Sequence, residues 1–328
     1  MEWTIEKIRL DLKYTWKISR NASTFKENFI VRCKGEGFEG MGEVAPNIRY
    51  NETPDLIALA FASIKNDLGQ CIISTEAIES FINTSNIPNS LKFGIESAFV
   101  HWHCKKYKIT LQQFLGIEKP KFVASCYTMP IMDPSLIKDF YEEHHLNRFN
   151  FIKLKVNDVA AIDMLKEIGK LGNHPIMIDA NEAWKDVDVL INFLPKLMAF
   201  PVEFIEQPMP SAFTEEYVHL KKNCHLPIMG DESVINNPDF DILEKQFDGV
   251  NMKLMKAGSY LNGVKILKEA NKRGMKTMIG CMVETTLGIK GAWDLCALAQ
   301  YADLDGCLIV ENEPFHLLNE KDGNFFEV

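Results

Sequence analysis

At 328 residues, with 46% hydrophobic and 25% charged residues, the chain has an ordinary globular composition and room for a barrel of about 200–250 residues plus a smaller domain. Its net charge of -9 argues against nucleic acid or another polyanion as the main partner. No basic stretch with an apolar core opens the chain, and no apolar run approaches the ~20 residues that cross a bilayer, so a cytoplasmic protein without a membrane partner is expected.

In chain order, Trp3 to about Gly42 alternates apolar and polar positions, with Gly35-Glu36-Gly37 as a tight turn. This predicts two or three antiparallel strands. Tyr14–Lys26 reads as a polar loop, and Ala45–Thr53 as a second loop with turn formers. Helical spacing follows through Leu56–Leu68 and again from Ile95 to about Lys106. Strands first and helices afterwards indicate an α+β capping domain over residues 1–118.

From Lys121 the rhythm changes to alternating strand and helix. Strands are expected near Phe122–Tyr127, Phe151–Lys155, Ile176–Asp179, Val202–Glu206, Ile228–Asp231, Val250–Lys253, Thr277–Cys281 and Tyr301–Asp305. Helices such as Ala160–Leu171, Ser259–Arg273 and Leu287–Ala299 lie between them. The fold class is therefore α/β, a TIM-type (β/α)7β barrel over residues 119–306. Residues 307–328 lack an eighth helix and read as a return segment, ending in a hairpin, that packs on the capping domain. The eight cysteines show no paired spacing and read as reduced core residues.

Charged residues recur at the ends of the buried runs. Asp179, Glu206, Asp231 and Lys253 are spaced by 27, 25 and 22 residues, and Lys155 lies 24 before Asp179. In a barrel, such strand ends converge on one mouth. Three carboxylates there need a cation to offset their repulsion, and all-oxygen ligation suits Mg2+. Asn181, Gln207 and Glu232 are placed to orient those ligands from behind. Lys153 and Lys155 share one strand face, so each is expected to lower the other's pKa toward a usable base. With Lys253 four strands away, two amines would flank a substrate held at the metal and move a proton between opposite faces.

The motifs Lys153-Leu154-Lys155, Asp179-Ala180-Asn181, Glu206-Gln207-Pro208, Asp231-Glu232-Ser233 and Lys253 closely resemble the enolase superfamily, muconate lactonizing subgroup. Phe93-Gly94-Ile95-Glu96-Ser97-Ala98 resembles the helix leading into that barrel. The resemblance implies Asp179, Glu206 and Asp231 as ligands of one Mg2+, Lys155 and Lys253 as the acid/base pair, and Lys153 as stabiliser of developing negative charge. It also places Glu284 at the edge of the site. Asp303-Leu304-Asp305 is similar to the ammonium-binding signature of the dipeptide epimerases. A dipeptide substrate of the L-Ala-D/L-Glu type is implied, with a role in peptidoglycan recycling and a homo-oligomeric assembly.

The cap loops narrow the substrate less. Ile48, Arg49 and Tyr50 resemble the second specificity loop of epimerases acting on alanyl-glutamate. In the first loop, the arginine expected to meet a glutamate side chain falls on Ser23 in an ungapped alignment, so Arg20 or Arg49 would supply that charge. The alternatives are an o-succinylbenzoate synthase or muconate-type cycloisomerase, whose substrates lack an amine for Asp303 and Asp305, and a non-catalytic dipeptide-binding barrel. His101 and His103 read as helix packing, and Lys256 as loop chemistry at the rim of the mouth.

Overall fold

The computed structural model describes residues 1–71, 74–157 and 161–328. Three antiparallel strands open the chain: β1 (Glu2–Lys17), β2 (Ala22–Gly35) and β3 (Phe38–Val44). Glu36 and Gly37 both have positive φ, the backbone that a two-residue hairpin between twisted strands requires. The expected polar loop Tyr14–Lys26 is mostly strand: Trp16 pairs with Ser23 and Lys17 with Ala22 beyond an irregularity after Asp11. Aromatic side chains explain this, since Tyr14 bonds the Tyr127 hydroxyl at 3.1 Å and packs edge-on against Phe140.

Helices α1 (Pro54–Cys71), α2 (Thr75–Thr84), α3 (Asn89–Tyr107) and α4 (Leu111–Leu115) follow. A capping box between Thr110 and Gln113 starts α4, and Gly116, with φ 63, ends it. The sheet lies directly on α3. A Cβ at Gly42 would sit 2.2 Å from the Gly94 carbonyl oxygen, so only glycine permits that approach.

The barrel strands are β5 (Tyr127–Met129), β6 (Ile152–Lys155), β7 (Ile176–Asp179), β8 (Val202–Glu206), β9 (Ile228–Gly230), β10 (Gly249–Lys253), β11 (Lys276–Gly280) and β12 (Tyr301–Asp303). All are parallel and paired in sequence order, and the Cys126 amide closes the ring by donating to the Ala302 carbonyl at 3.1 Å. The first expected strand is displaced. Val123–Ala124 forms β4, which pairs outside the barrel with the C-terminal hairpin, while the barrel strand begins at Tyr127. Two apolar runs separated by Ser125-Cys126 had read as one strand. The last strand is also shorter than expected, and Asp305 stands beyond it in a 3-10 turn, Asp305–Cys307.

The crossover helices are α5 (Ile137–Glu143), α6 (Ala161–Gly169), α7 (Val187–Leu197), α8 (Thr214–Asn223), α9 (Phe240–Gln246), α10 (Leu254–Ala257), α11 (Tyr260–Lys272) and α12 (Thr286–Asp294). Ala160, where the helix after β6 was expected to start, lies outside the described residues. The seven cysteines whose side chains are described are all free thiols; the side chain of Cys71 lies outside that set. Among the described residues, no helix is long and apolar enough to cross a membrane.

Strand alternation sorts the barrel interior into two levels. Cys126, Met177, Phe204, Met229 and Met278 form a buried apolar cluster in its lower part. Two residues further along three of those strands come Asp179, Glu206 and Asp231. The pleat that turns methionine and phenylalanine inward at the bottom thus turns carboxylates inward at the top.

Residues 309–311 run beside β1: Lys13 donates its amide to the Ile309 carbonyl and Glu311 donates to Asp11, both at 2.9 Å. The final hairpin, β13 (Leu318–Lys321) and β14 (Asn324–Glu327), pairs with β4 instead of the capping sheet. Trp293 of α12 fixes it by donating to the Phe325 carbonyl at 3.0 Å.

His101 joins the two domains. Its Nδ1 meets the Met41 carbonyl at 2.6 Å and its Nε2 meets the Tyr260 hydroxyl at 3.0 Å. Burial pushes the imidazole down to about 4, below the ~6.5 of an unfolded chain. The unfolded state therefore binds more protons between those values, and stability falls as pH drops through that window. Relative to His101→Gln, the protein should lose about 2 kcal/mol more on going from pH 7 to pH 5, read from urea midpoints; equal losses would refute this.

Candidate active site

The upper level of the barrel holds a dense set of buried ion pairs. Lys153, with no solvent exposure, points inward from β6. Its Nζ lies 3.0 Å from Asp179 Oδ2, 2.7 Å from Glu206 Oε2 and 2.6 Å from Asp303 Oδ2. Lys155, two residues on, reaches the same Asp179 Oδ2 at 2.5 Å. Across the barrel, Lys253 Nζ lies 3.0 Å from Asp231 Oδ2. The two lysines at the rim thus approach the carboxylate group from opposite walls.

One oxygen from each of Asp179, Glu206 and Asp231 lies within 4.8 Å of the others, and all three side chains are buried. Burial would raise Asp179, yet Lys153 and Lys155 hold it well below the usual carboxylate range. Asp231 is likewise low because Lys253, Lys256 and Lys153 outweigh its burial. Glu206 goes the other way: burial, then the Asp179 charge, push it up to about 8. A carboxylate that these ammonium groups cannot keep ionised fits a further cation at the triad. Two buried oxygens beside it, Asn181 Oδ1 and Glu232 Oε2, have no hydrogen-bond partner among the described residues.

The expected lowering of the lysine pKa values by mutual repulsion does not hold for Lys153. Burial alone would lower it, but Asp179, Asp303 and Glu206 raise it well above its ordinary value. Lys253 is also raised, by Asp231 against its burial.

Supporting residues fix these groups. Gln207, with φ 36, accepts from the amides of Asp231 and Ser233 at 2.9 and 3.1 Å. The Asn181 amide donates to Asp179 Oδ1 at 3.1 Å. Sequence reasoning missed Asn251, whose Nδ2 donates to Glu206 Oε1 at 2.7 Å. It also undervalued Lys256, which is buried and donates to Asp231 Oδ1 and the Asp231 carbonyl, both at 2.5 Å. The signal was its spacing: three residues past Lys253, the short helix α10 turns it back beneath the same carboxylate.

Asp303 and Asp305 close the ring beside β5. Lys153, Lys253 and Lys155 hold Asp303 below its ordinary value despite burial. Burial and Asp303 push Asp305 up to about 7, and its Oδ2 accepts from the Thr128 amide at 2.5 Å.

Above the mouth lies a cavity of about 560 Å³, bounded by Lys155, Lys253, Asp231, Asp303 and Asp305 below and by the cap loops above. Arg20, Ile48, Arg49 and Tyr50 line it. Ser23 and Glu284 do not. Glu284 accepts from the Met282 amide at 2.7 Å and is pushed up to about 8 by burial and by Glu43. Its charge is felt by Lys253 across the loop after β11, whose residues Met282 and Val283 line the cavity.

The two arginines are engaged by the barrel. Arg20 Nη1 lies 2.7 Å from Glu232 Oε1 and 3.0 Å from Glu182 Oε2, and donates to the Asn181 carbonyl at 2.9 Å. Arg49 is bidentate on Glu182, with both contacts at 2.7 Å. Glu182, at φ 67, also went unread. Its left-handed backbone turns the side chain up toward the cap, a direction no side-chain period encodes.

A family model for the enolase C-terminal domain-like fold matches residues 137–325. An L-Ala-D/L-amino acid epimerase of Flavobacterium johnsoniae is 30% identical, over 98% of this chain and 96% of its own. A hydrophobic dipeptide epimerase of Flavobacteria bacterium strain MS024-2A is 29% identical, over 96% and 92%. The crystal structure of a dipeptide epimerase from Enterococcus faecalis, complexed with Mg and L-Leu-L-Tyr, superposes with a TM-score of 0.88 at 26% identity, covering 100% of this chain and 96% of that one. This chain belongs to the enolase superfamily, within its dipeptide epimerases, and is an isomerase.

Proposed function

We propose that this isomerase inverts the α-carbon of the C-terminal residue of a dipeptide by proton transfer between Lys155 and Lys253. The observation that carries this reading is their placement, at the ends of strands four apart, each paired with one outer carboxylate of the same buried triad. A substrate carboxylate held at that triad leaves its α-carbon between the two amines. One lysine takes the α-proton from its face, the carbon flattens, and the ammonium on the other face returns a proton. Which lysine acts as base depends on the configuration that enters.

Asp179, Glu206 and Asp231 would hold one Mg2+. Bound there, it would supply the positive charge that makes a proton next to a carboxylate acidic enough to remove. Lys153, wedged among three carboxylates, places a fixed ammonium beside the developing charge. Asp303 and Asp305 would bind the substrate's α-ammonium, a demand that the amine-free substrates of synthases and cycloisomerases do not make. Alanyl-glutamate is the substrate this reading puts first, with peptidoglycan recycling in the cytoplasm as its setting and a homo-oligomer as its form.

In D₂O, Lys155→Ala and Lys253→Ala should each lower inversion by about 10³-fold or more. Either variant retains at most exchange of the α-proton without inversion, read by mass spectrometry and chiral chromatography. Normal inversion by either variant would exclude the two-lysine mechanism.

Dialysis against a chelator should abolish turnover, and Mg2+ should restore it. Thermal shift gives a second readout: added Mg2+ should raise the melting temperature of the wild type and not that of Asp231→Asn. A chelated enzyme with full activity would remove the metal from the mechanism.

Acetylating the N-terminus of L-Ala-L-Glu removes the cation expected at Asp303 and Asp305. It should lower kcat/KM by about 100-fold, as losing the partner of a buried charge does. Equal turnover of the blocked peptide would favour a substrate without an amine.

A further inference from the structure

Among the described residues, five cationic side chains line the cavity: Arg20, Lys26, Arg49, Lys155 and Lys253. Four of them already have anionic partners. Glu182 and Glu232 take the two arginines, Asp179 takes Lys155 and Asp231 takes Lys253. Lys26 is different. Its ammonium has no ion pair and no hydrogen bond among the described residues, and its neighbour Glu27 is paired with Lys7 at 2.9 Å.

The place of Lys26 follows from the β1–β2 register. It stands opposite Leu10 and two residues before Asn28, so the three share one face of the sheet. Asn28 donates to the Val283 carbonyl at 2.9 Å, and Leu10 packs in a cluster with Val283, Ile309 and Val310. That face therefore looks onto the loops after β11 and β12, above Asp303 and Asp305. Lys26 is half-buried, and burial with nothing to offset it lowers its ammonium from the ordinary lysine value. A cation held in a pocket wall without a counter-ion is unfavourable until an anion arrives. Arg20 and Arg49 offer a substrate anion far less, because their charge is already met by two carboxylates of the barrel.

We infer that Lys26 is the specificity-determining cation of the cavity and pairs with a side-chain carboxylate of the dipeptide, while Arg20 and Arg49 serve as internal counter-ions that fasten the cap. This rests on the dipeptide reading above. The carboxylate belongs to either residue of the dipeptide, and the test separates the two sources.

Glutamate and glutamine have the same shape, so their ratio isolates charge. The experiment measures kcat/KM for L-Ala-L-Glu against L-Ala-L-Gln, and for L-Glu-L-Ala against L-Gln-L-Ala, with the wild type, Lys26→Met and Lys26→Glu. The wild type should favour glutamate in at least one pair by about tenfold or more, the scale of one partly buried charged hydrogen bond. Lys26→Met should bring that ratio near one, chiefly through KM, and Lys26→Glu should reverse it. The pair that responds identifies the residue bearing the carboxylate. A ratio unchanged in Lys26→Met, or a wild type that favours glutamine in both pairs, overturns the inference. Calorimetric affinities for the same four dipeptides repeat the comparison without turnover. Lys26-dependent binding of glutamate by a protein that inverts no dipeptide would keep this inference and sink the epimerase reading.

Discussion

Everything at the mouth depends on buried ammonium groups shared among carboxylates. Lys153 is the centre of this sharing, because its one nitrogen meets carboxylates from β7, β8 and β12. An ionised group buried alone is costly by several kcal/mol, and removing one partner strands the other. Lys153 therefore cannot be treated as a separate site residue. It ties three strand ends together and so fixes the spacing at which a cation or a substrate could be gripped. Glu206 shows the limit of the arrangement. Burial, with Asp179 beside it, pushes its carboxyl up to about 8 despite the lysines nearby.

The same sharing bears on how the lysines could act as bases. Asp231 raises Lys253 against the effect of its burial. A divalent cation at the triad would draw on the oxygens that now stabilise the ammonium groups. The attraction that raises Lys253 would then weaken as the cation takes those oxygens.

The barrel and its charged rim were legible because two periods agree. A strand, a helix and two loops occupy about 24 residues, and inward positions alternate along each strand, so Lys155, Asp179, Glu206, Asp231 and Lys253 could be read as one ring. What escaped depends on geometry that no period records. The first barrel strand lay hidden behind β4, since strand propensity does not say which sheet a strand joins. Glu182 reaches the cap through a left-handed backbone. Lys256 returns under Asp231 through a single helical turn, and Asn251 turns its amide inward from β10 onto Glu206. Ser23 and Glu284 are not among the residues that line the cavity. Their chain neighbours Asn21, Phe25, Met282 and Val283 do line it, and Glu284 accepts from the Met282 amide of its own loop.

The cap is joined to the barrel by the very turns that carry the central carboxylates. Arg20 and Arg49 hold Glu182, three residues past Asp179, and Arg20 also holds Glu232, next to Asp231. The Asn181 amide, between these contacts, bonds Asp179 itself. Cap position and carboxylate position are thus set by one short backbone path, so a displaced cap loop would pull on the carboxylates of the mouth. Recognition by a half-buried lysine on the inner face of β2 separates the two tasks: the arginines keep the cap in place, and Lys26, unpaired among the described residues, reads what lies beneath.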